Sequence, residues 1–258
     1  KGRLDWQIPF EPIIVGRQVN VHLVLEYLAF FLAFRYYLYL RRKEEDHITG
    51  QHRLSIILGA IFGAFFGSRL MGYLEYPTAV TSVEQAVQLL NSKSIMGGLF
   101  GGLLAVEATK WLIGEKRRSG DLFTLPIIVG IMIGRVGCFL SGINEFTYGK
   151  ASTLIFAMDL GDGIPRHPIA LYEILFLFVL FWILRPIFKN KVLSEGKVFQ
   201  LFMILYFGFR FLIEFIKPNT FFLGGLSSIQ WLCVVCWLYY HRSIHQFIQD
   251  AGKRLHLL

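Results

Sequence analysis

Charge is scarce in this sequence. Asp, Glu, Lys and Arg make up 17% of its 258 residues, where a soluble domain carries about 25%. Cysteine is scarcer still: three residues cannot form a disulfide framework. Two of them, Cys233 and Cys236, make a C-x-x-C inside "SIQWLCVVCWLYY". No second ligand pair is nearby, so the pair reads as helix packing rather than redox or metal chemistry. There is no P-loop and no His/Asp/Glu cluster at ligand spacing, so neither a metal nor a cofactor is expected. Internal repeats, low-complexity linkers and a second large domain are also missing. Because the first residues, "KGRLDWQIPFEPII", are polar, no cleavable signal peptide is expected.

What the chain does have is apolar residues. They account for 54% of it, with 25 Phe, and the class this implies is an all-α integral membrane protein. A bilayer core of ~30 Å needs about 20 apolar residues per helix. Seven runs qualify: 20–40, 54–76, 95–113, 122–142, 168–189, 197–217 and 225–241. The expectation is one seven-helix membrane domain over 1–258, with an amphipathic interfacial piece at 77–94 and an ordered external loop at 143–166. The net charge of +8 reflects topology rather than nucleic acid, because the basic residues fall in short loops. Segments 41–53, 110–118, 185–197 and 242–254 hold 15 Lys and Arg, against six on the opposite side. The positive-inside rule then puts the N-terminus outside and the C-terminus in the cytoplasm.

Ionisable residues inside the spans gather at one depth. Arg69, with Tyr73 and Glu75 after it, lies near the outer end of the second span, and His22 and Glu26 near that of the first. Arg135 lies about seven residues below the outer end of the fourth, hence ~10 Å deep at 1.5 Å per residue. Arg210, Glu214 and Lys217 occupy the outer half of the sixth, and His167 opens the fifth. Each such charge costs at least about 2.5–3.5 kcal/mol in hydrocarbon, so it needs a cavity and a partner. Arg210 and Glu214 can pair at i, i+4, and Arg35 can snorkel to the inner interface. The cations still outnumber the carboxylates at this level. The surplus suits an anion, and the anion available in an outer leaflet is a phospholipid phosphate. A purely structural network is the competing reading. In the third span, "IMGGLFGGLLAVE" sets Gly97, Gly98, Gly101 and Gly102 in a small-xxx-small pattern for close helix approach. Glu107, in the same span, is either a buried partner for a cation or a proton acceptor.

Four stretches in order carry a resemblance: "GSRLMGYLEY" (67–76), "GRVGCFLSGINEFTYGK" (134–150), "HPIALYE" (167–173) and "RFLIEFIKPN" (210–219). Together they resemble the bacterial prolipoprotein diacylglyceryl transferase family over nearly the whole chain. The resemblance implies seven spans in the bacterial cytoplasmic (inner) membrane and an active site in the outer-leaflet half. It also implies transfer of the diacylglyceryl group of phosphatidylglycerol to the lipobox cysteine of prolipoproteins, recognised through their signal peptides, with release of glycerol-1-phosphate. Under it, Arg135 holds the lipid phosphate and stabilises its charge as it leaves. Arg210 belongs to the same clamp, oriented by Glu214. Gly142 and Gly149 bound the loop over the headgroup, and Arg69, His167, Tyr172 and Gln230 support the cavity. Lys217 adds to the substrate-binding charge.

The sequence departs from the family pattern where the acceptor would be activated. The family's third-span motif begins with histidine, and here that position is Met96. Family asparagines become Cys138 and Ser141, an expected first-span tyrosine aligns with Leu23, and the loop "GINEFTYGK" is about three residues longer than the family pattern, so Glu145 matches the family glutamate only with a gap. Thiol alkylation needs a thiolate, which nearby cations, or Glu26, His22 or His167 in place of the missing histidine, would have to provide. Glu26 is therefore counted with Arg135, Arg210 and Glu214 as catalytic. Cys138 reads as a small apolar helix residue or as a covalent intermediate. Two further readings stay open: a paralogue with a different acceptor, and a non-catalytic phospholipid-binding subunit.

Overall fold

The computed structural model describes residues 8–14, 16–44, 46–75, 82–84, 92–218 and 223–255. In chain order the helices are α1 (Val21–Lys43), α2 (Gly50–Glu75), α3 (Ile95–Ile113), α4 (Asp121–Ser141), α5 (Ile169–Lys189), α6 (Lys197–Ile213), α7 (Ser228–Tyr239) and α8 (His241–Leu255). Two small antiparallel hairpins accompany them: β1 (Ile13–Ile14) with β2 (Arg17–Gln18), and β3 (Met158–Asp159) with β4 (Pro165–Arg166).

Six helices, α1 to α6, are long and apolar enough to cross a membrane. Their apolar residues also point outward: Phe30, Phe31 and Phe34 of α1, Phe62, Phe65 and Phe66 of α2, and Phe178 and Trp182 of α5 are more than half exposed. Helices apolar on all sides are the mark of a lipid surround. The seventh expected span is shorter than expected. Its helix, α7, has 12 residues, about 18 Å at 1.5 Å per residue, against a core of ~30 Å. It gives way at Tyr240 to α8, where the sequence reading had placed only a basic segment. Most of the expected interfacial piece at 77–94 lies outside the described residues.

The chain forms two compact units. The first comprises residues 1–45, 120–202 and 215–218. Here α1 and α5 both pack against α4. Asn20 caps α1 by accepting the Leu23 N–H at 2.9 Å, and Arg41, Arg42 and Lys43 fill its last turn, where cations complement the helix dipole. Tyr37 stacks on Phe123 of α4 with ring centroids 4.6 Å apart. Asp121 accepts the N–H groups of Gly196 at 2.6 Å and Phe199 at 3.0 Å, so one carboxylate serves the donors at the start of α6. At the other end of α4, Gly142 has φ 54°, and a Cβ there would strike the Leu160 carbonyl. Only glycine lets the chain leave the helix into the 143–168 loop at this angle.

The second unit comprises residues 46–119, 203–214 and 219–258. Gly63 and Gly67 of α2 lie against Gly97 and Gly101 of α3, so close that a Cβ on any of the four would run into backbone of the facing helix. The expected small-residue face of α3 is thus real, but only Gly97 and Gly101 use it fully. A Cβ at Gly98 or Gly102 would meet nothing nearer than 3.5 Å. Glu107 is not buried: its side chain is 48% exposed and pairs with Lys110 at 3.2 Å. Cys233 and Cys236 are free thiols buried in the α7 face, a packing role. Around the first turn of α2, the buried Arg53 is held by Asp46 and donates to the Ser119 carbonyl at 3.1 Å. Beside it, His52 lies 2.9 Å from Glu115 and, with the Arg117 N–H, keeps the Glu115 carboxyl below its ordinary range.

Candidate functional site

Arg135 sits six residues before the end of α4, 6% exposed. Its Nε lies 2.9 Å from Oε2 of Glu173, which has no exposed surface. That carboxylate is the last residue of "HPIALYE". The motif itself was the signal for it, yet i, i+4 pairing rules cannot pair residues 38 positions apart in sequence. The guanidinium also donates from Nη1 to Cys138 Sγ at 3.6 Å. The same sulfur lies 3.5 Å from His22 Nε2 of α1, and His22 Nδ1 lies 3.4 Å from Glu145 Oε1, just past the 3-10 turn Gly142–Asn144. Five side chains thus form one line: Glu173, Arg135, Cys138, His22, Glu145. Glu26 is half-buried one turn beyond His22 on α1.

The loop closes beside this line. Gly149 donates its N–H to the His167 carbonyl at 2.9 Å, and a Cβ at Gly149 would come within 2.5 Å of the His167 Cβ. His167 Nδ1 meets the Tyr172 hydroxyl at 3.2 Å. Lys150 donates its backbone N–H to Ile216 at 2.8 Å and its Nζ to the Phe215 carbonyl at 3.0 Å, tying the loop to the segment that ends in the buried Lys217. A narrow recess here is lined by Cys138, Gly142, Thr147, Leu160, Pro168 and Ile169. Of the expected site residues, Arg135, Glu26, Gly142, Gly149, His167, Tyr172 and Lys217 therefore belong to the first unit.

The second unit holds Arg210, Glu214, Arg69 and Gln230. Arg210 donates from Nη2 to Glu214 Oε1 at 2.9 Å, the i, i+4 pair expected from sequence. The other carboxylate oxygen of Glu214 accepts from Ser227 Oγ at 3.4 Å. Ser227 and Gln230 form a capping box on α7, and Gln230 Nε2 reaches the Phe211 carbonyl at 3.1 Å. Gln230 is thus a fastener between α7 and α6, linked to Arg210 through Ser227 and Glu214. Arg69 donates to the Ser92 carbonyl at 3.2 Å and sits over the Phe65 ring. Met96, where the family has histidine, is fully buried in the first turn of α3.

A guanidinium carries five N–H donors in a planar fork that matches carboxylate and phosphate oxygens. An arginine–carboxylate pair is buried in each unit: Arg135–Glu173 in the first and Arg210–Glu214 in the second. Among the described residues no group of three or more His, Cys, Asp or Glu could hold a metal ion.

A family model described as prolipoprotein diacylglyceryl transferase matches residues 13–241. Three similar proteins bear the name phosphatidylglycerol–prolipoprotein diacylglyceryl transferase. The one from Bordetella parapertussis is 34% identical over 235 residues, 81% of this chain and 84% of its own. That from Cupriavidus necator is 33% identical over 231 residues, covering 81% of each. That from Methylobacillus flagellatus is 34% identical over 203 residues, 74% of this chain and 73% of its own. The match runs from the first hairpin to the first residue of α8 and takes in both buried arginine pairs and all four sequence motifs. The chain belongs to the prolipoprotein diacylglyceryl transferase family.

Proposed function

We propose that this chain is a transferase of the bacterial cytoplasmic membrane that moves the diacylglyceryl group of phosphatidylglycerol onto the lipobox cysteine of prolipoproteins, with the signal peptide presenting that cysteine. Family membership supports the reaction, and one observation carries the site: Arg135 buried against Glu173 with a cysteine, a histidine and a glutamate in line behind it. The acceptor sulfur attacks the glycerol carbon that bears the phosphate. A C–S bond forms as the C–O bond breaks, and glycerol-1-phosphate leaves with the electron pair. Arg135 holds the phosphate, and its fixed charge counts for most at the moment charge builds on the leaving group; the family resemblance assigns Arg210 to the same role. Glu173 and Glu214 fix the two guanidinium planes. Gly142 and Gly149 shape the loop over the headgroup, and Arg69, His167, Tyr172, Gln230 and Lys217 support it. His22, with Glu26 one turn on, is the side of the site that handles the acceptor's proton.

In this reading the chain crosses the membrane seven times, the last crossing falling within residues 225–241. The N-terminus is outside, the C-terminus is in the cytoplasm and the site is in the outer-leaflet half, as the loop charges require. The competing role, a phospholipid-binding subunit without turnover, is favoured by Met96, which cannot take a proton. The test is release of glycerol-1-phosphate from phosphatidylglycerol by the purified full chain. Release that requires a lipobox peptide, and fails when its cysteine is replaced by serine, is the expected result. Bound phosphatidylglycerol with no release would favour the subunit.

A further inference from the structure

We infer that Cys138, His22 and Glu145 form a proton relay for the acceptor thiol, standing in for the base that Met96 does not provide. The inference rests on the transferase reading and adds to it the path of one proton. His22 has both ring nitrogens committed: Nε2 to Cys138 Sγ at 3.5 Å and Nδ1 to Glu145 Oε1 at 3.4 Å. With Nδ1 protonated toward Glu145, Nε2 is left as an acceptor, and Cys138 is the donor in front of it. On its other side the sulfur faces Arg135 Nη1 at 3.6 Å, so negative charge on it is offset. Cys138 lines the recess, and His22 stands behind it. The charged groups around the line are Arg135 and Glu173 beyond the sulfur, Glu145 beyond the imidazole, and Glu26 one turn further on α1.

As an acceptor thiol approaches the glycerol carbon, its proton passes to Cys138 Sγ while the Cys138 proton passes to His22 Nε2. Cys138 ends neutral and His22 ends as imidazolium beside Glu145. The acceptor sulfur forms the C–S bond, and the leaving phosphate keeps the electron pair of the broken C–O bond. The imidazolium proton then returns through Cys138 to the departing glycerol phosphate or to water. Cys138 makes no covalent bond to lipid, because a thioether formed there would not leave again. The bland role for this residue, a small helix filler, does not account for its placement between an imidazole and a guanidinium. Cys138 and His22 are the proton-carrying pair, and Glu145 is a positioning residue that sets the imidazole tautomer.

The test measures single-turnover transfer from phosphatidylglycerol to a lipobox peptide by the full chain, together with the phosphatidylglycerol each variant retains on purification. Cys138→Ala and His22→Gln should each slow transfer at pH 7 by roughly 10²-fold or more, the range of a lost general base, with lipid retained. The double variant should be no slower than either single, as members of one relay are not additive. Raising the pH above the ordinary thiol value of about 8.5 should restore most of the rate, because the peptide then arrives as thiolate. Cys138→Ser, which keeps shape and a proton, should lie between alanine and wild type and guards against a folding defect. Glu145→Gln should lower kcat and leave the KM for phosphatidylglycerol unchanged. Wild-type rates in Cys138→Ala and His22→Gln, or losses that multiply in the double variant, would overturn the relay alone. So would loss of transfer in Glu26→Gln with those two unaffected. A wild-type chain that binds lipid and transfers nothing would overturn the transferase reading and the relay with it.

Discussion

Arg135 and Glu173 are the residues on which the site turns. Removing one member of a buried ion pair leaves the other charged and unpaired, a loss of about 3–5 kcal/mol. Arg135→Ala therefore mixes stability with function, and Arg135→Lys is the cleaner probe. Lysine keeps the charge beside Glu173 but loses the planar fork that can face a carboxylate and a phosphate together. Transfer should fall at least tenfold in Arg135→Lys and Arg210→Lys with folding retained. Arg35→Ala, on the exposed face of α1, should leave it unchanged. Measured rates alongside thermal unfolding in detergent separate the two effects. Equal rates in all three variants would make the arginines structural. At this scale the sequence shows neighbours along a helix but not partners brought together by packing. Arg210–Glu214 could be read directly, being i, i+4. Arg135–Glu173 and His22–Cys138 could not, since only tertiary packing joins residues far apart in the chain.

The α2–α3 pair shows how a helix contact can be half visible in sequence. The glycines of α3 stand out as a doubled small-xxx-small pattern. Their partners Gly63 and Gly67 fall in the equally spaced "GAIFGAFFG" of α2. Which glycines face the partner depends on helix rotation, which composition does not fix. The structure separates them sharply. Gly101→Ala would push a methyl into the Gly63 carbonyl and the Gly67 Cα, while at Gly98 the nearest atoms are 3.6 Å away. Overpacking of this kind costs about 1–3 kcal/mol, whereas a helical alanine gains up to ~1 kcal/mol over glycine. Gly101→Ala should thus lower the unfolding temperature and Gly98→Ala should hold or raise it; the reverse order would mean the helices meet on another face. In the same unit, Asp46→Ala removes the carboxylate from the Arg53 guanidinium, which is 2% exposed. It should cost several kcal/mol, visible as a lower unfolding temperature with no effect specific to lipid binding. Arg53 counts as a loop cation in the positive-inside sum, yet it is a buried anchor; a residue just inside an apolar run can serve as both.

For the molecule as a whole, hydropathy located six of the helices to within a few residues, because lipid demands about 20 apolar residues per crossing. It overestimated the last, where an apolar run continues into an amphipathic helix and no breaker marks the change. The proposed orientation rests on loop charge. A cysteine in the loop near Gly161 should react with an impermeant maleimide added outside intact cells, and one near Glu115 should react only after permeabilisation. The opposite pattern would turn the site to the cytoplasmic leaflet. The central claim is the transfer itself. Purified full-length protein, incubated with phosphatidylglycerol of defined acyl chains and a lipobox peptide, tests it by intact mass spectrometry of the peptide. The account predicts a mass gain equal to the matching diacylglyceryl group, carried on the cysteine as a thioether stable to hydroxylamine. A peptide of unchanged mass, recovered beside protein that still holds phosphatidylglycerol, would contradict it.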